Sequence, residues 1–203
     1  MRTKLAYRAS EAAGLAALWD TIDDLGTASP AQVALLERAP LAVVGALADH
    51  ARELWCGERV RILPPSMAAR EPASSLALRR GDTGLALLRE TAITRLTTDP
   101  ARHVRLDLAT TGMELVQAAL LFGADEVCGA IATRAGLPLA DRAARALRRA
   151  DVAGLIKRAG RLPVFVSESG GEAVIDAPDA LPPAHRAAQM LAIAGDDLEG
   201  GAP

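Results

Sequence analysis

A chain of 203 residues, half of them hydrophobic, carries enough apolar mass for one domain with a good core, or one domain and an appendage. Its net charge is −2, and no basic cluster is interleaved with aromatics, so nothing supports nucleic-acid binding. No apolar run reaches the ~20 residues that span a bilayer, and MRTKLAYRASEAAG holds no long apolar stretch before a cleavage site, so the expectation is a cytoplasmic protein without membrane contact. The two cysteines, Cys56 and Cys128, lie far apart in apolar settings and read as buried free thiols, neither a disulfide framework nor a zinc site. Lys4 and Lys157 are the only lysines; with the abundant alanine this is the bias of a GC-rich bacterial genome, not a functional signal.

In chain order, Ala9 to Leu25 reads as a first helix, with Leu15, Leu18, Trp19, Ile22 and Leu25 on one face. Ser29-Pro30-Ala31-Gln32 then carries a capping serine, a proline suited to the first helical position and a glutamine that can close a capping box; that helix runs to about Arg38. Pro40 opens a helix over Leu41 to Trp55, and Gly57 stops it. Arg59 to Leu63 alternates as a short strand and Pro64-Pro65 ends it. From there to Asp82 the chain reads as a long polar loop. Asp82 is placed to cap a helix over Thr83 to Leu96, with Leu85, Leu88, Ala92, Ile93 and Leu96 inward.

His103 to Ile131 is the centre of the chain. Val104, Leu106 and Leu108 alternate with Arg105, Asp107 and Ala109 as a strand; Met113 to Phe122 is an apolar helix ended by Gly123; Val127 to Ile131 is the next strand. That is one βαβ unit, in a sheet whose two faces should both be covered. Beyond it come an Arg-rich helix from Pro138 to Ala150, a short helix from Asp151 ended by Gly160, a hairpin of Leu162–Val166 and Ala173–Asp176 around Gly170-Gly171, and a helix from Ala184 to Ala194. The division this suggests is an N-terminal helical segment (1–57), an α/β domain (58–194) and a disordered acidic tail (195–203).

Standard catalytic motifs are missing: no Gly-rich phosphate loop after a strand, no G-x-S-x-G and no H-E-x-x-H. His50, His103 and His185 are scattered, with no neighbour at metal-ligand spacing. His50, beside Asp49 and Glu53 on a helix, is a candidate base against a default of surface or boundary histidine. Asp125 and Glu126 are adjacent on a strand and point to opposite faces, so they form no natural carboxylate pair. Thr110-Thr111-Gly112 joins the carboxyl end of a parallel strand to a helix N-terminus, where free amides meet anions and where α/β sheets bind ligands; it is either such a site or an ordinary capped turn.

The run LDLATTGMELVQAALLFGADEVCGAI (106–131) resembles the last two barrel strands of the radical SAM enzymes of menaquinone and deazaflavin biosynthesis: the aminofutalosine synthase, the cyclic dehypoxanthine futalosine synthase and the deazaflavin side-ring synthase. LIKRAGRLPVFV (155–166) is similar to that family's C-terminal stretch, LLRETAITRL (87–96) to the helix before its seventh strand, and APLAVVGALADHARELWCGERVRIL (39–63) to its opening helix and first strand. The family's CxxxCxxC loop after the first strand, which holds a 4Fe–4S cluster, is replaced here by Pro64-Pro65-Ser66-Met67, and the second to sixth strands have no counterpart. The resemblance therefore implies a partial TIM-barrel-like sheet of about three parallel strands, His103–Ala109 beside Val127–Ile131 beside Arg59–Leu63, with many helices and the C-terminal hairpin. It carries over no cluster, no cofactor, no metal and no catalytic residue. The function it implies is a non-catalytic accessory protein, linked to the futalosine route to menaquinone. Its partner would be a second copy of the chain or a radical SAM enzyme, and the open sheet face is covered by the first helices, the hairpin or that partner. The alternatives are a small-molecule-binding protein or minor enzyme using Thr110, Thr111 and Gly112, and a protein-interaction module with the Arg-rich helix as its contact.

Overall fold

The computed structural model describes residues 2–70, 73–76, 83–129, 131–132, 147–167 and 169–174. The acidic tail, the expected helix at 184–194, most of the expected Arg-rich helix and Asp82 lie outside them.

The N-terminal third is helical, and its boundaries follow local chemistry. Helix α1 (Arg2–Ala12) and helix α2 (Ala16–Asp23) replace the single helix expected over 9–25. Gly14 takes φ +75 and the Leu15 N–H closes back on the Ser10 carbonyl at 2.8 Å, a glycine-type helix stop inside an apolar pattern that otherwise continues. Helix α3 (Pro30–Arg38) begins with the expected capping box: the Ser29 side chain accepts from the Gln32 N–H, and the Gln32 side chain accepts from the Ser29 N–H at 2.8 Å. Helix α4 (Leu41–Cys56) stops at Gly57, where φ is +65. These helices bury Leu15, Leu18, Trp19, Ile22, Leu36, Val44 and Leu47 in a core that includes Ala92 and Leu96 of helix α6 (Gly84–Thr97). Thr83 caps α6, accepting from the Ala86 N–H at 3.2 Å. Leu85, expected inward, is 66 % exposed, and Leu87, Thr91 and Arg95 are buried instead.

The remainder is built on a sheet of six strands, not three. The strands are β1 (Arg59–Leu63), β2 (Ala73–Leu76), β3 (His103–Asp107), β4 (Glu126–Cys128), β7 (Leu162–Val166) and β8 (Glu172–Val174), in the order β2-β3-β4-β1-β7-β8. All neighbours are parallel except β7 and β8. The β3-β4-β1 neighbourhood is the one expected. The three further strands come from two places. β2 lies in the stretch read as loop, after a short helix α5 (Pro65–Ala68); its sequence, ASSL, has no apolar alternation, and it is a strand because it pairs with β3. β7 pairs with β1 in parallel, so the C-terminal hairpin extends this sheet rather than standing apart from it. A separate two-stranded pair joins β5 (Ile131–Ala132) to β6 (Leu147–Arg148), so Leu147 and Arg148 of the expected Arg-rich helix are strand, and its last two residues open helix α9 (Arg149–Arg158).

β3 ends at Asp107, short of the expected Ala109. Asp107 caps a four-residue helix α7 (Leu108–Thr111), and Gly112, at φ +82, turns the chain into helix α8 (Met113–Ala119). Gly123 follows α8 at φ +96, where an added Cβ would fall 2.7 Å from the Cβ of Arg95, so both conformation and space require glycine.

One side of the sheet holds the larger core. Val60, Ile62, Leu106, Val127 and Phe165 meet Leu87 and Leu88 of α6, Val116 and Ala119 of α8, and Leu155 and Ile156 of α9. The crossovers β2-α6-β3 and β3-α8-β4 therefore pack on the same face and step in one direction across the sheet. The first helices pack behind α4 and α6 and do not cover the opposite face. On that face Leu63, Met67 of α5, Cys128 and Val166 form a small cluster, and the ion-paired Arg61, Glu126 and Arg105 lie beside it, with Val164 next to Arg61.

Candidate site at the carboxyl edge of the sheet

Alternation on the central strands sends Arg61, Arg105 and Glu126 to the face away from the helices. The register sets Arg61 beside Glu126 and Glu126 beside Arg105, forming a cross-strand ladder on β1, β4 and β3. Arg61 Nη1 donates to Glu126 Oε2 at 2.7 Å, and Arg105 Nε donates to Glu126 Oε1. Glu126 is fully buried and Arg105 is 4 % exposed. Burial pushes the Glu126 carboxyl up from its ordinary value against the bonds from Arg105 and the charge of Arg61. Arg105 also donates through Nη1 to the Ala68 carbonyl, which ties α5 to the sheet.

Directly above Arg105, at the carboxyl ends of β2, β3 and β4, a cavity of about 290 Å³ opens, lined by Ala68, Ser75, Leu76, Arg105, Asp107, Thr110 and Cys128. Its wall is mixed. Leu76 and Ala68 supply apolar surface, Ser75 and Thr110 hydroxyls, Asp107 a carboxylate and Arg105 a guanidinium held in place by Glu126. Cys128 is a free, buried thiol; burial, with Asp107 close by, pushes its pKa up to about 11. It is therefore protonated at neutral pH and a poor nucleophile.

The three residues singled out in the strand-to-helix turn have separate fates. Thr110 is exposed and lines the cavity. Thr111 is 6 % exposed, and its buried hydroxyl makes no hydrogen bond among the described residues. Gly112 is the pivot between α7 and α8. The free amides expected here are occupied: Asp107 Oδ1 accepts from the N–H groups of Ala109 at 2.7 Å and Thr110 at 3.1 Å. A carboxylate already fills the place an anion would take, so this edge favours hydroxyl and amine groups. Arg105, Asp107, Ser75 and Cys128 were not picked out from the sequence as site residues. The signal was present in VRLDL, whose polar positions share one face and end beside Thr110, but β2 and α5 come from a stretch with no such pattern.

At the opposite, amino edge, Asp125 is 1 % exposed. It accepts from Arg95 and from the Val104 N–H at 2.7 Å and pairs with His103 Nδ1, while Arg95 Nε donates to the Gly123 carbonyl at 2.8 Å. Burial pushes the Asp125 carboxyl up, but His103 and Arg95 pull harder, and it lies below its ordinary value. The adjacent acids Asp125 and Glu126 thus serve two separate networks, as their opposite facing on the strand requires. Cys56 is half-buried near Asp125, and burial raises its thiol to about 12. His50 is far from the cavity in function: its ring stacks on Trp19 with centroids 4.4 Å apart, and Nε2 pairs with Asp23 at 2.7 Å, which is a packing role within the first helices.

Among the described residues no group of three or more His, Cys, Asp or Glu side chains is placed to hold a metal ion, and no helix is long and apolar enough to cross a membrane. No protein-family model matches the chain, and no curated protein matches it significantly in sequence.

Proposed function

We propose that the protein is a non-catalytic binding protein that holds a small, hydroxyl-bearing metabolite of about nucleoside size at the carboxyl edge of its sheet. The observation that carries this reading is the cavity of about 290 Å³ lined by Thr110, Ser75, Asp107 and Arg105. That volume is at the lower end of small-molecule sites, which run from ~300 Å³ upward. The polar groups converge from two strands and α7, and the buried Glu126 fixes Arg105 from below, which is the rigid support a binding site needs. The nearby thiol is protonated, so the lining offers recognition groups without an activated nucleophile. A cytoplasmic setting agrees with two free cysteines.

The test is a thermal-shift screen of nucleosides, futalosine-type compounds and free sugars. A ligand at about a hundred times its Kd adds ~2.7 kcal/mol, or about 5–11 °C for a domain of this size. Ala68→Leu, which fills the cavity without altering charge, should abolish that shift while keeping the unliganded Tm. A panel without any shift, or a shift that survives Ala68→Leu, refutes the reading.

A second reading, an accessory subunit derived from a radical SAM barrel of the menaquinone pathway, is favoured by one observation. The β3-β4-β1 order and the one-sided crossovers are what the first, seventh and eighth strands of such a barrel would leave behind. In this reading the sheet is a partial TIM barrel whose cluster loop has become α5, with Met67 packed on Leu63, Cys128 and Val166 where cysteine ligands would stand. Affinity purification of the tagged chain from its native cell should then recover a radical SAM enzyme in stoichiometric amount; recovery of the chain alone counts against it.

A further inference from the structure

The amino edge of the sheet carries a charge imbalance that the cavity at the other edge does not involve. Arg52, in the C-terminal half of α4, is fully buried, and Arg161, the residue before β7, has a side chain 10 % exposed. Both guanidiniums converge on the same carboxylate: Arg52 Nε donates to Asp49 Oδ1 at 3.1 Å, and Arg161 Nη2 donates to the same oxygen. Arg52 Nη1 donates to the Gly57 carbonyl. Two guanidinium nitrogens are left over and buried, with no hydrogen-bond partner among the described residues: Nη2 of Arg52 and Nε of Arg161. Among the described residues, two positive charges thus share one carboxylate, and these two nitrogens have no acceptor. A buried, uncompensated guanidinium is strongly unfavourable unless an acceptor completes it. The charges acting on Arg52 agree with this count: after desolvation, Asp49 and Arg161 are the main ones, and they oppose each other.

Gly57 and Gly160, close in sequence to the two arginines, border open space: no heavy atom lies within 4 Å of where a Cβ would stand on either. Asp49 is 26 % exposed, so the pair opens to solvent on that side. Guanidinium groups present paired N–H donors in a plane that suits two-oxygen acceptors.

We propose that Arg52 and Arg161, braced by Asp49 between the end of α4 and the start of β7, form a binding site for a small oxyanion of the phosphate or carboxylate type. The anion accepts from Arg52 Nη2 and Arg161 Nε and neutralises the excess positive charge. The site lies at the opposite sheet edge from the Thr110 cavity and does not depend on it.

The experiment is calorimetric titration of the full chain with inorganic phosphate and, separately, acetate, at fixed ionic strength in a chloride buffer. The wild type should bind one equivalent of phosphate or acetate saturably. Arg161→Gln should weaken that binding at least tenfold, and Asp49→Asn, which removes the competing carboxylate, should tighten it. Far-UV circular dichroism identifies any variant that fails to fold, and the other variant then decides. Absence of saturable heat with either anion in the wild type overturns the proposal. So does a folded Arg161→Gln that binds like the wild type, or a folded Asp49→Asn that binds no more tightly.

Discussion

Glu126 is the carboxylate that both Arg61 and Arg105 bond, and its removal is the sharpest perturbation the fold offers. Glu126→Ala leaves two largely buried guanidiniums, 14 % and 5 % exposed at their side chains, without that partner. Removing one member of a buried pair costs ~3–5 kcal/mol, where an exposed pair is worth under about 1 kcal/mol. Arg61 keeps some solvent contact and a second contact to Glu172 at 3.4 Å, which places the expectation in the lower half, at about 3–4 kcal/mol. For a domain of this size that is a fall in Tm of about 6–16 °C. Urea unfolding followed by far-UV circular dichroism measures it directly through the midpoint, provided the slope is unchanged. Replacing all three ladder residues by methionine, leucine and methionine should recover most of the loss, because the apolar set needs no desolvation of charge. A Glu126→Ala loss below about 1 kcal/mol, or a triple variant less stable than the single one, would show that the ladder is not the buried network described.

Three other outcomes follow from particular residues. Asp107→Ala removes the acceptor for two backbone N–H groups at the start of α7 and should lower stability by about 1 kcal/mol in urea unfolding, with α7 amides exchanging faster by hydrogen exchange. Cys56 and Cys128, with thiols raised to about 12 and about 11, should react with a disulfide reagent at neutral pH far more slowly than in urea; fast native reaction at either would contradict their burial. Asp125 has a folded pKa below its unfolded value of about 3.9, so its contribution is present above that value and is lost as pH falls through the folded one. Burial gives Glu126 the opposite sign, with its contribution rising as pH falls through its raised folded value, so the steep loss of stability belongs below about pH 4 and should flatten in Asp125→Asn.

What the sequence determined by itself is local. The capping box of Ser29 and Gln32, the stop at Gly57, the limits of β1 and the strand start at His103 depend on residues a few positions apart, and each stands where the pattern put it. Asp107 shows the same logic missed at short range: its carboxylate ends β3 two residues early and fills the turn whose amides were expected to be open. Tertiary structure decided the rest. ASSL has no strand pattern of its own and becomes β2 through pairing with His103 to Leu106, and β7 is recruited to β1 across a long span of chain. The cavity exists because β2 and α5 close around Thr110 and Asp107, and the Arg61–Glu126–Arg105 ladder exists because register aligns three separate strands. Turn and cap energies are set within one stretch of chain, whereas pairing and charge compensation depend on which strands become neighbours, and no local pattern encodes that choice.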